Sequence, residues 1–238
     1  VIVVPAIDLM GGKAVRLRQG RYDDVTIFDE DPPARARSWR GQVPWLHVVD
    51  LEGARAGRPV QRQMVRAIVE AFGPGVQVGG GVRTRETFEA YRALGTSRLV
   101  LGSAAVKDAP LVRGIATEHP GEVVLAVDAR EGLVAVDGWT ETTRVRAVDL
   151  VSSLADAPLG AILYTDVARD GTGTGPNVEE TARIAASTQI PVIASGGVGT
   201  LDDLRRLSSL GITACIVGRA LYEGAFTLDD AIEAARGG

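Results

Sequence analysis

VGGGVRT at residues 78–84 returns as ASGGVGT at 194–200, and the fold is read from that pair. Working outward, Gly95 falls opposite Gly211, LGSA (101–104) opposite VGRA (217–220), and Asp50 in HVVDL opposite Asp166 in LYTDV. All share one offset of 116 residues. AID at 6–8 and AVD at 126–128 form a further pair offset by 120, so the two halves differ by a few residues of loop. Matches held in register along a chain indicate internal duplication. Functional features should then occur in opposed pairs.

The glycine pairs each follow a short apolar run, and such runs recur at 2–8, 45–50, 76–79, 98–102, 122–128, 160–166, 191–195 and 214–218. They are apolar along their length, as parallel strands buried on both faces are. Helix-compatible segments lie between them at 32–41, 61–72, 85–95, 108–118, 144–156, 178–188, 201–210 and 228–236. Thr84 and Thr200 read as N-caps with acids in the first turn, and Gly95 and Gly211 as stops. Eight strands alternating with eight helices predict an α/β fold, a (β/α)8 TIM barrel. A doubly wound open sheet is the runner-up. We expect one domain over 1–238, built from two (β/α)4 half-barrels of about 1–119 and 120–238.

With 238 residues and 45% hydrophobic side chains, the chain can bury a full core without disulfides or metals. One cysteine, Cys215, excludes an intrachain disulfide framework and a Cys-rich zinc site. It reads as a buried small apolar residue. A net charge of −4 argues against sequence-independent nucleic-acid binding. No run of 18 apolar residues exists, so no membrane span is expected. VIVVPAIDL reads as a strand and not as a signal peptide. A soluble, cytoplasmic, monomeric protein is expected. Only Lys13 and Lys107 of the 26 basic residues are lysine, so scattered arginine reflects compositional bias. Only arginines beside glycine loops carry weight.

Active sites of such barrels form at the C-terminal ends of the strands. Gly80 and Gly81 follow the third strand, Gly102 and Ser103 the fourth. Ser195, Gly196 and Gly197 close the seventh, and Gly218 and Arg219 follow the eighth. Glycine lets backbone N–H groups approach an anion. Two such sets related by the repeat predict two phosphate sites across one barrel mouth, and a small-molecule bisphosphate as substrate. Arg83 and Arg219 can add charge there. Asp8 and Asp128 end facing strands between the two sites. They read as an acid–base pair, a task that needs different surroundings for two like groups. No metal-binding or dinucleotide motif is present. His119 precedes a proline in a loop and reads as surface. His47 lies inside the second strand, either as core or as a substrate contact.

PAIDLMGGKAVRLRQG (5–20), HVVDLEGA (47–54), VGGGVRT (78–84), VDGWTETT (136–143), TDVARDGTGTGPN (165–177), IASGGV (193–198) and IVGRALYEG (216–224) run from end to end in order. Through them the chain resembles the phosphoribosylformimino-AICAR phosphate (ProFAR) isomerase family of histidine biosynthesis. The resemblance implies a half-barrel duplication that performs an Amadori rearrangement of an aminoaldose to an aminoketose, with no metal or organic cofactor. It implies Asp8 as the base at C2 of the ribose and Asp128 as the acid at the ring oxygen. Thr165 would hydrogen-bond near the reacting ribose, and Asp170 would lie near it. Trp139 would stack on the imidazole of the substrate. Arg18 and Arg83 would reach the substrate and Gly175 would bind a phosphate, while Gly171, Gly173 and Gly175 in the loop after the sixth strand are compatible with movement or with simple tight turns. Closure of the loops after the first and fifth strands would exclude water, with Gly11, Gly12 and Gly20 compatible with movement of the former.

Gly173 departs from the pattern, standing where a bulky apolar residue is common, which predicts a looser loop. A bifunctional relative that also isomerises phosphoribosyl anthranilate shares both aspartates. Gly79 in place of serine and Asp137 in place of arginine argue against it. The next enzyme of the pathway, a cyclase, normally starts its first strand with Cys-Leu-Asp, unlike Pro5-Ala6-Ile7-Asp8. A silent bisphosphate-binding barrel is the alternative from another class, but a binder of dianions would lose affinity by placing two carboxylates beside them.

Overall fold

The computed structural model describes residues 1–18 and 21–237. In chain order its strands are β1 (Ile2–Met10), β2 (Lys13–Arg18), β3 (Arg21–Asp29), β4 (Leu46–Asp50), β5 (Val76–Gly79), β6 (Arg98–Leu101), β7 (Val123–Arg130), β8 (Leu133–Val136), β9 (Glu141–Arg146), β10 (Ala161–Asp166), β11 (Val192–Ser195) and β12 (Ala214–Val217). The helices are α1 (Pro32–Trp39), α2 (Leu51–Ala56), α3 (Arg62–Phe72), α4 (Arg85–Arg92), α5 (Ser103–Lys107), α6 (Ala109–Glu118), α7 (Ala147–Ser153), α8 (Val178–Ala186), α9 (Leu201–Ser209), α10 (Arg219–Tyr222) and α11 (Leu228–Arg236).

Eight strands pair in parallel around a ring in the order β1, β4, β5, β6, β7, β10, β11, β12. The ring closes where Ile2 to Pro5 of β1 pair with Ala214 to Val217 of β12. The barrel, and not the open sheet, is therefore the fold. Closure explains why the strands are apolar on both faces. Val123, Leu125 and Val127 of β7 face the helices, while Val124 and Ala126 face the interior. The inner layer is completed by Val4, Ala6, Val100, Ala161, Leu163, Ile193, Ala214 and Ile216. Trp45 packs against it, with the Arg98 guanidinium 3.8 Å from its ring centroid.

Inward alternation carries the polar residues into the mouth. Residues 4, 6 and 8 of β1 share a face, as do 124, 126 and 128 of β7. Asp8 and Asp128 thus continue apolar inward rows, and β1 and β7 stand four strands apart in the ring of eight. Thr84 and Thr200 are the N-caps of α4 and α9, as their sequence contexts predict, and both also form capping boxes.

Three expectations need correction. The loops after the first and fifth strands are β-hairpins: β2 pairs antiparallel with β3, and β8 with β9. Residues 144–146, expected to open a helix, finish β9, and α7 starts only at Ala147. Their alternation of exposed and half-buried residues suits a strand lying on a surface. His119 is not a free surface residue. Its ring stacks on Phe88 with centroids 5.2 Å apart and pairs with Glu89 at 2.8 Å. No helix among the described residues is long and apolar enough to cross a membrane.

Candidate active site

One cavity opens at the C-terminal ends of the strands. Asp8, His47, Gly80, Gly81, Arg83, Gly102, Ser103, Asp128, Trp139, Thr165, Asp170, Ser195, Gly196, Gly197, Gly218 and Arg219 all line it. Residues scattered through the chain are brought together because all but His47, which lies inside β4, stand near the end of a barrel strand or after it. Gly175 lies behind the wall. Its N–H donates to the Gly197 carbonyl at 2.9 Å, and a Cβ on Gly197 would come within 2.3 Å of the Gly175 oxygen. The Arg18 side chain and Gly20 lie outside the described residues.

The glycine pairs are needed by the backbone itself. Gly80 and Gly81 have φ of +104° and +78°, and Gly196 and Gly197 have +88° each. A Cβ on Gly80 would fall 2.1 Å from the Asp50 carbonyl. Asp50 is fully buried and accepts from the backbone N–H groups of Gly53, Val60 and Gln61 and from the Tyr91 hydroxyl. It anchors the turn below Gly80. Gly102 and Gly218 share an unusual conformation, with φ −111°, ψ −82° and φ −109°, ψ −93°. Each precedes a short helix with no side-chain cap, so the first N–H groups of both helices are left for another acceptor.

Arg16, which the motif reading did not single out, is the centre of the charged network. Its Nη1 is 2.9 Å from Asp8 Oδ2 and its Nη2 is 2.5 Å from Asp170 Oδ1. Burial alone would lower the guanidinium, but Asp170 and Asp8 more than offset it and keep it charged. The signal for it was the alternation in KAVRLR (13–18), which places Arg16 opposite in face to Val15 and Leu17. Asp8 is pushed up from the usual carboxylate range by loss of water, with Arg16 opposing and Asp170 adding to the rise. Asp128 is also pushed up by loss of water. Hydrogen bonds from the Trp139 and Thr165 side chains oppose that rise, and Asp170 adds to it. No cation pairs with Asp128 among the described residues. His47 is lowered to about 4, first by burial and then by Arg16, so its ring is neutral.

Both hairpins reach over the mouth. Tyr22 of β3 donates its hydroxyl to the Leu51 carbonyl at 2.7 Å, and a Cβ on Gly138 would lie 4.0 Å from that hydroxyl. At the other tip, Asp137 pairs with Lys107 at 2.7 Å and Arg83 at 3.3 Å, and its N–H donates to Ser103 Oγ. The loop with Gly173 is tied down: Arg219 Nη1 donates to the Gly171 carbonyl at 2.6 Å and Arg169 Nη1 to that of Gly175 at 3.2 Å.

A family profile described as "Histidine biosynthesis protein" matches residues 2–227. The chain belongs to that family. A relative from Sorangium cellulosum (strain So ce56) is 59% identical over 237 residues, covering 98% of both chains. One from Jannaschia sp. (strain CCS1) is 49% identical over 236 residues, covering 98% of this chain and 99% of its own. A third, from Desulfatibacillum aliphaticivorans, is 45% identical over 242 residues, covering all of this chain and 97% of its own. All three are named 1-(5-phosphoribosyl)-5-((5-phosphoribosylamino)methylideneamino)imidazole-4-carboxamide isomerase. These three relatives, each matched along nearly its whole length, share one named activity.

Proposed function

We propose that this chain is an isomerase of histidine biosynthesis, converting the aminoaldose ProFAR to its aminoketose by an Amadori rearrangement. The observation that carries the reading is the placement of two carboxyl groups with unlike partners on facing strands of one cavity. Asp8, beside the Arg16 cation, is the group suited to remain ionised. Asp128, taken out of water and with no cation paired to it among the described residues, is suited to hold a proton.

Asp128 would give its proton to the ribose ring oxygen as the bond from that oxygen to C1 breaks and C1 becomes doubly bonded to nitrogen. Asp8 would then take the proton from C2, leaving an enamine with a hydroxyl on C2. Loss of that hydroxyl proton and protonation at C1 complete the ketose. The hydrogen leaves C2 and arrives at C1, so the step balances without an external oxidant or reductant. Thr165 and Trp139 would hold the Asp128 carboxyl in place. Gly80, Gly81, Gly102 and Ser103 on one side, and Ser195, Gly196, Gly197, Gly218 and Arg219 on the other, would hold the terminal phosphates. Gly175 would support the second turn from behind. Anchoring both ends of a long flexible substrate uses remote binding energy to position the ribose. The ring-opposite placement of these features supports an origin by duplication of half-barrels of about 1–119 and 120–238.

Turnover of ProFAR should fall by at least about 100-fold in Asp8→Asn and in Asp128→Asn, the range of a positioned acid or base. Assay of phosphoribosyl anthranilate alongside separates the bifunctional reading. Binding of the bisphosphate with no turnover by the wild-type protein would leave a binding barrel.

A further inference from the structure

The mechanism leaves one buried polar pair unused. His47 on β4 is in register with Ala6 on β1 and with Gln77 on β5, so the three share an inward layer just below Asp8. Gln77 is fully buried and His47 is 6% exposed. The two side chains meet at 3.0 Å between Gln77 Nε2 and His47 Nδ1. Gln77 Oε1 has no partner. His47 lines the cavity, and Gln77 stands behind it.

A neutral imidazole carries one donor and one acceptor nitrogen, and the neighbour of one nitrogen decides which is which. The charged groups above this ring are Asp8, Arg16 and, through Arg16, Asp170. None of them is paired with His47, so the choice falls to Gln77. If the amide nitrogen donates to Nδ1, the carbonyl oxygen and the second amide N–H are left unpaired. If the amide were reversed, both N–H groups would be left unpaired, and a buried N–H is orphaned more rarely than a buried carbonyl oxygen. Nδ1 is therefore the acceptor, and the ring proton stays on Nε2.

We propose that Gln77 is a positioning residue that holds His47 as the Nε2–H tautomer, making a neutral imidazole into a hydrogen-bond donor on the floor of the cavity. Its acceptor would be an oxygen of the reacting ribose, and only that last clause rests on the isomerase reading. A donor there favours negative charge developing on oxygen as C2 loses its proton.

The chain has only two histidines, so nitrogen NMR on labelled protein resolves His47 from His119. His47 should show an unprotonated Nδ1 and a protonated Nε2 from about pH 8 down to about pH 5. Gln77→Glu should invert this pattern, because a carboxylate accepts from Nδ1–H. Gln77→Met should leave a mixture of tautomers. Both variants should lose at least about tenfold in kcat, the worth of a hydrogen bond made in the transition state. KM should change by no more than about threefold, because the phosphate cradles are untouched. A wild-type ring protonated on Nδ1 would overturn the assignment, as would wild-type ring signals in Gln77→Met. An altered ring state with unchanged kcat would overturn the positioning role. If one variant fails to fold, the other decides. Wild-type inactivity on ProFAR would count against the isomerase reading, while the ring signals would still decide the role of Gln77.

Discussion

At Asp8 a guanidinium lies 2.9 Å away, whereas Asp128 meets an indole and a hydroxyl. Two like groups thereby acquire unlike tasks. Both carboxyl pKa values are raised by loss of water, so the pH dependence has two limbs. Activity should fall on the acid side as Asp8 takes a proton, and on the alkaline side as Asp128 loses one. Arg16→Gln removes the cation that favours ionised Asp8. The acid limb of the kcat/KM profile should then move to higher pH, and an unmoved limb would refute this account of Arg16. For Asp8 the sign for stability is opposite to that for activity, whereas for Asp128 both fall as pH rises. A carboxyl whose folded pKa is above its unfolded value stabilises most below the unfolded value, and that contribution is lost as pH rises through the folded one. Asp128→Asn should therefore raise the melting temperature at neutral pH while abolishing turnover.

Among the elements, the hairpin β8–β9 carries the most backbone strain. Asp137, Gly138 and Trp139 have successive φ values of +53°, +67° and +69°, a region disfavoured for a bulky side chain. Contacts at both ends hold the turn: Asp137 with Lys107 and Arg83, and Trp139 with Asp128. Asp137→Ala removes the first set and should free the tip without touching the carboxyl pair. We expect KM for the bisphosphate to rise by up to about fivefold, the scale of a partly exposed ion pair. Cleavage within 131–140 under limited proteolysis should become faster. The hairpin itself was legible only in part. VDGWTETT marks a turn, but a turn motif does not say whether its flanks pair with each other or pack as loop. The pairing of Ala135 with Thr142 depends on a surface onto which both strands fold. The short helices α2, α5 and α10 went unread because they span only one or two turns and carry no full apolar period.

For the molecule as a whole, two nested apolar layers hold the ring closed. Leu125 is fully buried in the outer layer, between β7 and the helices. Leu125→Ala should cost about 2–5 kcal/mol, the range for a large-to-small change in a close-packed core. Urea unfolding followed by circular dichroism measures it, and a loss well below that range would mean the layers relax to fill the space. The order of the eight barrel strands and of the longer helices between them, the positions of Asp8 and Asp128 at the ends of facing strands, and the paired glycine turns could all be read from the chain. Each is a local or periodic property, set by backbone alternation and by what glycine permits. Three features could not be read that way. The sequence pattern is the same for an open sheet and a closed barrel, and only the pairing of β12 with β1 decides between them. Arg16 stands among many arginines, and its pairing with Asp170, beside Asp8, joins positions 154 residues apart along the chain. Gln77 looks like any polar residue in a strand until the register sets it beside His47. Propensity and periodicity act over a few residues, so they determine elements. The field around a carboxylate and the tautomer of an imidazole are set by groups a few ångströms away in space, and those neighbours exist only once the barrel has closed.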